Sequence, residues 1–527
     1  MNNGKICIPV CAETVDELIQ QIKRAEELAD IIEVRFDGLR KSEFESLLSA
    51  RSRNAAVEPA TTAVISTFRP KEQGGYREIS VAERKAFWRS GNETTFCDVE
   101  EDMVETTAGS WHGAARICSY HDFSGVPEDL RSIADRLTGT CADIIKIAAA
   151  ADEITDAIPI WKLIDRSEED GPRVEPAIIP VAMGEAGKWT RILGLAHGAF
   201  LTYASLETGG ETADGQITAR DMIEMYRVRE LDLETQVYGI IGDPVSQSLS
   251  PVMHNPAFVA AGLNAVFIPL AVKDIDAFMR RMVLPGTREV ELNFAGFAVT
   301  MPHKEAIMPY LDEIDPVARR IGAVNTVTIE NGKLIGCNTD DHGFITPLKA
   351  RYGDLTNARV AIFGAGGSAR ACVYALKQAG AEVTVFARAR AKAEVFASEF
   401  GVSAGEISDL GSPFPNFESE MVKPQRPKID LAAFDIVVNT TPMGMKGPLE
   451  SETLFTADEL AGVKFVFDLV TGPADTPLNA EAKKAGIPAI GGIEMLIAQG
   501  ERQFEIWTGS LAPPDLMRDA IKARLEQ

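Results

Sequence analysis

Hydrophobic positions in the first 230 residues come in short β-rich runs separated by stretches with helical spacing. The runs fall at 6–10, 31–36, 63–68, 95–99, 116–120, 144–147, 178–182 and 201–205. Between them, 15–28 and 81–89 repeat their apolar residues with the period of a helix. Short strands alternating with helices over this length predict a (β/α)8 barrel, a fold that carries its chemistry at the C-terminal ends of its strands. Those ends hold Glu33, Arg35, Arg69, His121, Asp122 and Lys146.

The pattern restarts at 237–241, after 217–234, which reads as one continuous helix. A loop rich in turn and hydroxyl residues, GDPVSQSLSP, follows, and further runs lie at 266–269 and 296–300. A third region begins with the apolar run 360–363, which leads into GAGGSAR and on to strands at 383–386, 436–439 and 463–468. The Pro-rich stretch 404–430 has no periodicity and reads as a surface loop, while 492–507 reads as a helix that folds back on the preceding α/β segment. The expected organisation is therefore α/β throughout. It comprises a barrel at 1–231, a first lobe at 232–340 joined by the C-terminal stretch 492–527, and a nucleotide-binding lobe at 341–491.

At 527 residues the chain exceeds one hydrophobic core. Its formal net charge of −24 argues against a nucleic-acid surface and points to small-molecule partners, with local cations needed wherever a substrate is anionic. No apolar run approaches the roughly 18 residues of a membrane helix, so no membrane partner is expected. The seven cysteines form no metal-type pairs; Cys97, Cys118 and Cys141 lie in apolar stretches and read as buried free thiols in a reducing compartment. An apolar strand begins almost at once, and the cytoplasm is the expected location.

The run 360–363 reads as a buried strand entering a Gly-x-Gly-x-x-Ala turn that opens a helix, the pattern of a dinucleotide pocket. Gly364 permits the tight turn, Gly366 lets a pyrophosphate approach the backbone, and Ala369 is small enough for the helix to press on the strand. Ala365, Gly367 and Ser368 complete the turn, where the helix N-terminus faces the phosphates. The strand at 383–386 ends in Ala387, Arg388, Ala389 and Arg390, followed by Lys392, rather than in an acidic residue. A cation there suits a 2′-phosphate, so NADP(H) is expected over NAD.

In the barrel, Lys146 lies within the apolar run DIIKIA. Burial favours the neutral amine that a Schiff-base nucleophile needs, although a lone lysine at a strand end also fits a side chain reaching out to water. His121, in SYHDF, ends the preceding strand and belongs beside Lys146 at the same rim, where a histidine can move a proton next to an imine. With EVRFDGL, STFRPKEQGG, SYHDF, IKIA, the segment around Arg191 and TADGQ, residues 5–230 resemble a type I 3-dehydroquinate dehydratase. The resemblance implies Lys146 as imine former and His121 as general acid/base. It implies Glu33, Arg35, Arg69, Arg191, Thr212 and Gln216 as substrate contacts, Arg191 being the carboxylate clamp. Where many members carry Glu four residues after the arginine, this chain has Gln73, with Glu72 beside it.

Ser248 and Ser250 sit two apart and, in an extended stretch, point the same way; they also fit ordinary turn residues. Lys304, in AVTMPHKE, and Asp340, in CNTDDHGF, form a proton-handling pair if a cleft brings them together, and are surface charges otherwise. The stretches GDPVSQSLSP, VTMPHK, GAVNT, NTDDHGF, GAGGSAR, NTTPMGM and GIEMLIAQ together resemble shikimate dehydrogenase over 237–515. This implies Lys304 and Asp340 as the catalytic pair, with Ser248, Ser250, Thr300, Asn325 and Gln499 on the substrate. It implies Gly364–Ala369, Arg388, Lys392 and Met443 around NADP(H). Thr471 stands where the family often has Tyr.

The two resemblances imply one polypeptide that dehydrates 3-dehydroquinate to 3-dehydroshikimate and reduces that product to shikimate, with no metal. A class I aldolase-type barrel, fused to a quinate/shikimate-type dehydrogenase or to a non-catalytic NADP sensor, is the competing expectation. Oligomeric state is not legible in the sequence.

Overall fold

Strand alternation closes the first region into a barrel. The computed structural model describes residues 2–49, 62–89, 94–105, 113–164, 176–406, 429–473 and 475–526. Eight strands, β1 (Ile6–Val10), β2 (Ile31–Arg35), β3 (Ala63–Thr67), β4 (Phe96–Glu100), β5 (Ala115–Asp122), β6 (Ile144–Ala150), β7 (Ala177–Met183) and β8 (Thr202–Tyr203), lie in the order β7-β6-β5-β4-β3-β2-β1-β8. Neighbours are parallel, and Phe200 N–H donates to the Ile178 carbonyl at 2.8 Å where the sheet comes round on itself. The expected helix at 81–89 is present as Val81–Arg89, and the one at 15–28 is the shorter Val15–Ala25, capped by Thr14.

The chain divides into two compact units, one comprising 1–251 with 263–294 and the other 252–262 with 295–527. Besides the barrel, the first contains the parallel pair β9 (Gln236–Gly242) and β10 (Ala265–Ala271). The helix expected over 217–234 is not continuous: after a short π-helical stretch, Asp221–Met225, Arg227 takes φ +51°. Val228 N–H then closes back onto the Met222 carbonyl, so the helix ends a turn after it begins.

In the second unit, β11 (Phe294–Val299) and β13 (Thr326–Glu330) are antiparallel, as are β13 and β14 (Lys333–Cys337), while the short β12 (Glu313–Ile314) runs parallel to β14. The remaining strands are β15 (Arg359–Phe363), β16 (Glu382–Ala387), β17 (Ser403–Glu406), β18 (Ile436–Asn439), β19 (Phe465–Asp468) and β20 (Ala489–Ile490). They form a parallel sheet in the order β17-β16-β15-β18-β19-β20. The order reverses between β15 and β18, the switch point at which doubly wound sheets bind nucleotides. Part of the expected loop at 404–430 is the edge strand β17; 407–428 lie outside the described residues. The helix Gly492–Thr508 docks on β13, with Trp507 Nε1 donating to the Val327 carbonyl at 3.1 Å.

All seven cysteines are free, and Cys97 and Cys118 are buried as expected. Cys141 is exposed instead, because β6 starts only at Ile144 and leaves it in the preceding turn.

Candidate active sites

Successive side chains on a strand point to opposite faces, so positions two apart share the barrel interior. Ile31, Ile65, Ile117 and Ile144 form a buried apolar layer, with Phe96 packed against it. Two residues further on, the same parity delivers Glu33, Thr67, Asp98, Ser119 and Lys146, all buried. Two further still come Arg35, Arg69, Glu100 and His121. The alternation that builds the core thus also stacks a polar site above it.

Lys146 is 5% exposed, which removes the reading of a lysine reaching to water. Its Nζ donates to Asp98 Oδ2 at 3.0 Å and to the Tyr203 hydroxyl at 2.9 Å, and stands 4.0 Å from Glu33 Oε2. Asp98 Oδ2 also accepts from Arg69 Nη2 at 2.6 Å. Burial alone would raise the Asp98 pKa, but Arg69 and Lys146 together hold it well below the usual carboxylate range. Arg69 Nη1 lies 3.2 Å from His121 Nδ1 and also contacts Nε2. Burial, then the charges of Arg69 and Lys146, push His121 well below the ordinary histidine value, which favours the neutral imidazole.

One cavity is lined by every barrel residue expected at the site: Glu33, Arg35, Arg69, His121, Lys146, Arg191, Thr212 and Gln216. Arg35 is locked by a two-point contact with Asp37 (3.0 and 2.8 Å), and Thr67 Oγ1 donates to Glu33 Oε1 at 2.7 Å. Thr212 and Gln216 bond each other, Thr212 N–H donating to Gln216 Oε1 at 2.9 Å. Unlike Arg35 and Arg69, Arg191 has no carboxylate partner among the described residues. It is 3% exposed, its Nη2 reaches only the Asp214 carbonyl at 3.3 Å, and its Nε has no hydrogen-bond partner among the described residues. Burial lowers its pKa to about 10, with no carboxylate beside it to offset the lost hydration. Gln73 lines the cavity while Glu72 is exposed, and Asp122 turns away to bond Ser124.

Asp98 and Tyr203 were not among the expected site residues. Asp98 had a signal, a carboxylate two residues after Phe96 in an otherwise apolar strand, on the inward parity. Tyr203 sits in a two-residue strand whose pattern is too short to assign a face.

In the second unit, Lys304 Nζ donates to Asp340 Oδ2 at 2.5 Å and to Ser368 Oγ at 3.2 Å. Asp340, 4% exposed, begins the helix Asp340–Tyr352, and its Oδ1 accepts from Asn325 Nδ2 at 2.7 Å. Asn325 Oδ1 accepts from Thr339 N–H at 2.8 Å, and Gln499 Oε1 lies 3.4 Å from Asn325 Nδ2. Five expected residues (Lys304, Asp340, Asn325, Gln499 and Ser368) therefore form one hydrogen-bonded cluster. Thr339, Asn338 and Gln503 support it and were not foreseen: Asn338 Oδ1 accepts from the Asp340 N–H two residues on, while the bonds that bring in Gln503 and link Thr339 to Gln499 span 178 and 160 residues and leave no local pattern.

The glycine turn fits a dinucleotide. Gly364 adopts φ +121°, and a Cβ there would lie 2.1 Å from Thr440 Oγ1, so the tight turn demands glycine. A Cβ on Gly366 would meet nothing within 4 Å, leaving an open approach to the backbone. The helix Gly367–Gln378 starts there without a side-chain cap, and Ala369 is fully buried in the cluster that includes Val360 and Ile362.

Other expected residues stand outside the Lys304 cluster. Arg388 and Lys392 are exposed after β16, and the buried Met443 offers its carbonyl to Asn439 Nδ2 at 3.3 Å. The Thr300 carbonyl accepts from His303 N–H at 2.9 Å, and Thr471 is exposed. Ser248 and Ser250 lie in the first unit and are not in an extended stretch. Ser248 Oγ accepts from Ser250 N–H at 3.2 Å where the helix Ser250–Ala260 begins, because a hydroxyl there satisfies a free amide of the first turn.

A barrel centred on a buried lysine and a doubly wound sheet with a Lys–Asp pair at its glycine turn define a two-site α/β enzyme. The model of type I 3-dehydroquinase matches residues 6–232, that of the shikimate dehydrogenase substrate binding domain 240–327, and that of the shikimate 5'-dehydrogenase C-terminal domain 492–522. The Arabidopsis thaliana chloroplastic bifunctional 3-dehydroquinate dehydratase/shikimate dehydrogenase is 34% identical over 540 residues, covering 98% of this chain and 84% of that protein. The shikimate dehydrogenase (NADP(+)) of Citrifermentans bemidjiense is 41% identical over 307 residues, covering 55% of this chain and 96% of that one. A solved structure of dehydroquinate dehydratase and shikimate dehydrogenase from S. pombe AroM is 25% identical, covers 98% of each chain and has a TM-score of 0.41. The chain belongs to the bifunctional 3-dehydroquinate dehydratase/shikimate dehydrogenase family.

Proposed function

We propose that this chain carries out two consecutive steps of the shikimate pathway, dehydrating 3-dehydroquinate to 3-dehydroshikimate and reducing that ketone to shikimate with NADPH. The observation that carries the reading is the gathering of Lys146, His121 and Arg191 in one barrel cavity. In the division we assign, 1–231 dehydrates, 232–340 with 492–527 holds the ketone, and 341–491 binds NADP(H).

Arg191 takes the substrate carboxylate, whose charge relieves the buried guanidinium. Glu33, Arg35, Arg69, Thr212 and Gln216 contact the remaining polar groups. Lys146 attacks the ketone and forms a protonated imine, which acidifies the adjacent carbon. His121, neutral in this setting, removes that proton and returns one to the departing hydroxyl. Water then frees the product from Lys146.

In the second site the turn Gly364–Ala369 receives the pyrophosphate, and Arg388 and Lys392 the 2′-phosphate, with Met443 beside them. NADPH supplies the hydride when bound. Lys304 gives a proton to the carbonyl oxygen as the alkoxide forms, and Asp340, fixed by Asn325, orients the lysine. Thr300, Asn325 and Gln499 hold the substrate.

Borohydride added during turnover of dehydroquinate should leave a stable adduct on Lys146, and its absence refutes the dehydratase assignment. Dehydroshikimate-dependent NADPH oxidation should vanish in Lys304→Ala while dehydration persists; a variant that still oxidises NADPH removes the Lys304 role. We place the reactions in the cytoplasm, supported by seven free cysteines, a location that cell fractionation tests. Among the described residues, no helix is long and apolar enough to cross a membrane.

A further inference from the structure

Asp98 faces two cations with one oxygen: Oδ2 accepts from Lys146 Nζ at 3.0 Å and from Arg69 Nη2 at 2.6 Å. It is fully buried, and both partners belong to the cavity that holds the dehydration chemistry proposed above. Arg69 in turn contacts the His121 ring, so one carboxylate is joined to the imine-forming amine directly and to the acid/base through a single guanidinium. Behind them Glu100 Oε1 lies 3.5 Å from Arg69 Nε, an ion-pair contact without a hydrogen bond, while Glu100 Oε2 accepts from Arg84 Nη2 at 2.6 Å. Both carboxylates of the array lie on β4, and each faces two cations.

We infer that Asp98 is the positioning residue of the dehydratase site, fixing Lys146 and His121 relative to one another through a shared oxygen. The inference rests on the dehydratase reading. Imine formation conserves charge overall: an ammonium (three N–H) and a ketone give a protonated imine (one N–H) and water, the amine shedding a proton to form the N–C bond of a carbinolamine, whose protonated hydroxyl then leaves as water. Asp98 therefore faces a cation before and after the step, and the one remaining N–H has a carboxylate to donate to. Tyr203, a neutral acceptor 2.9 Å from Nζ, offers no equivalent charge. Gln73 lines the cavity and cannot supply a carboxylate to the histidine, so in this chain the ring takes its orientation from Arg69, and Arg69 from Asp98.

The test compares wild type with Asp98→Asn. Wild type must first dehydrate dehydroquinate and give the borohydride adduct on Lys146; if it does neither, the underlying reading fails, and this inference with it. Given that activity, Asp98→Asn should lower kcat about a hundredfold, the scale of an ångström-sized misplacement, with KM within about threefold. Such a KM also shows that the barrel has folded and binds substrate. A kcat within about threefold of wild type overturns the inference. If Asp98→Asn is insoluble, Asp98→Ala is assayed with added formate: recovery of kcat by tenfold or more supports a carboxylate acting at this point, and no recovery refutes it.

Discussion

Replacing Gly364 and Gly366 by alanine, one at a time, separates two reasons for a glycine in the same turn. At Gly364 the backbone has φ +121°, and holding an L-residue in such a region costs about 1–3 kcal/mol. The new methyl would also start 2.1 Å from Thr440 Oγ1. That hydroxyl can move only by giving up its 2.8 Å bond to the Phe363 carbonyl, a loss of about 1 kcal/mol. Thr440 backbone atoms at 3.2 Å limit any further retreat. Gly364→Ala should therefore destabilise the nucleotide-binding sheet by about 2–4 kcal/mol.

Gly366 behaves oppositely. Its φ of −106° and ψ of −175° are ordinary extended values, and a built Cβ meets nothing within 4 Å. Alanine there narrows the unfolded ensemble and should leave stability unchanged or raised by about 0.4–1 kcal/mol. The methyl stands in the open space that the dinucleotide phosphates need, so KM for NADPH should rise at least tenfold, about 1.4 kcal/mol of binding. Hydrogen exchange of amides in 359–378 reads the first effect, and initial rates of dehydroshikimate-dependent NADPH oxidation read the second. Equal exchange in the two variants, or an unchanged KM in Gly366→Ala, would refute the division of roles.

Two further outcomes follow from buried charge. Arg191→Met should raise KM for dehydroquinate by at least tenfold, about 1.4 kcal/mol, while leaving the barrel as stable as before or more so, because a desolvated guanidinium is removed; steady-state kinetics with thermal melting checks both. His254 is fully buried against Trp507 and Phe258, and burial, only partly offset by Gln503, lowers its pKa to about 3. Its unfolded form binds a proton below about pH 6.5 while the folded form does not until near pH 3, so stability falls as pH drops through that window. Between pH 6.5 and 4.5 the loss from this group is about 2 kcal/mol, and His254→Phe should show a correspondingly flatter acid profile in urea titrations of the second unit.

The barrel was legible because one physical rule, alternation along a strand, fixes both its core and its rim. Ile31 and Glu33, Ile144 and Lys146 obey the same parity, so knowing which residues are apolar states which polar ones face inward. Asp98 obeys it too: it lies inside its strand, two residues after Phe96 on the inward parity. The helix expected over 217–234 failed for a different reason: apolar spacing does not report the positive φ of Arg227 that ends it. In the second unit, sequence stretches supplied Lys304, Asp340 and Asn325, but not Gln503 or Trp507, which reach β13 from a helix about 180 residues later. For the two serines it was the expected extended stretch that failed, because Ser248 satisfies the backbone of Ser250 where two parallel side chains were expected.

How a chain of net charge −24 selects an anionic substrate follows from where its buried cations are spent. Around the barrel cavity Arg35 is matched by Asp37, Arg69 by Asp98 and Glu100, and Arg84 by Glu100 and Asp102. These pairs hold geometry and leave little field for a ligand, since each positive charge is cancelled within a few ångströms. Arg191 is buried to the same degree, and among the described residues its side chain donates to the Asp214 carbonyl and to no carboxylate. In the role proposed for Arg191, its desolvation cost is carried by the free enzyme and offset when a carboxylate arrives, a gain the neutralised arginines cannot offer. Specificity for an acid thus follows from withholding one counter-charge in a site that otherwise supplies them all, and a carboxylate installed beside Arg191 should weaken substrate binding more than one placed beside Arg35.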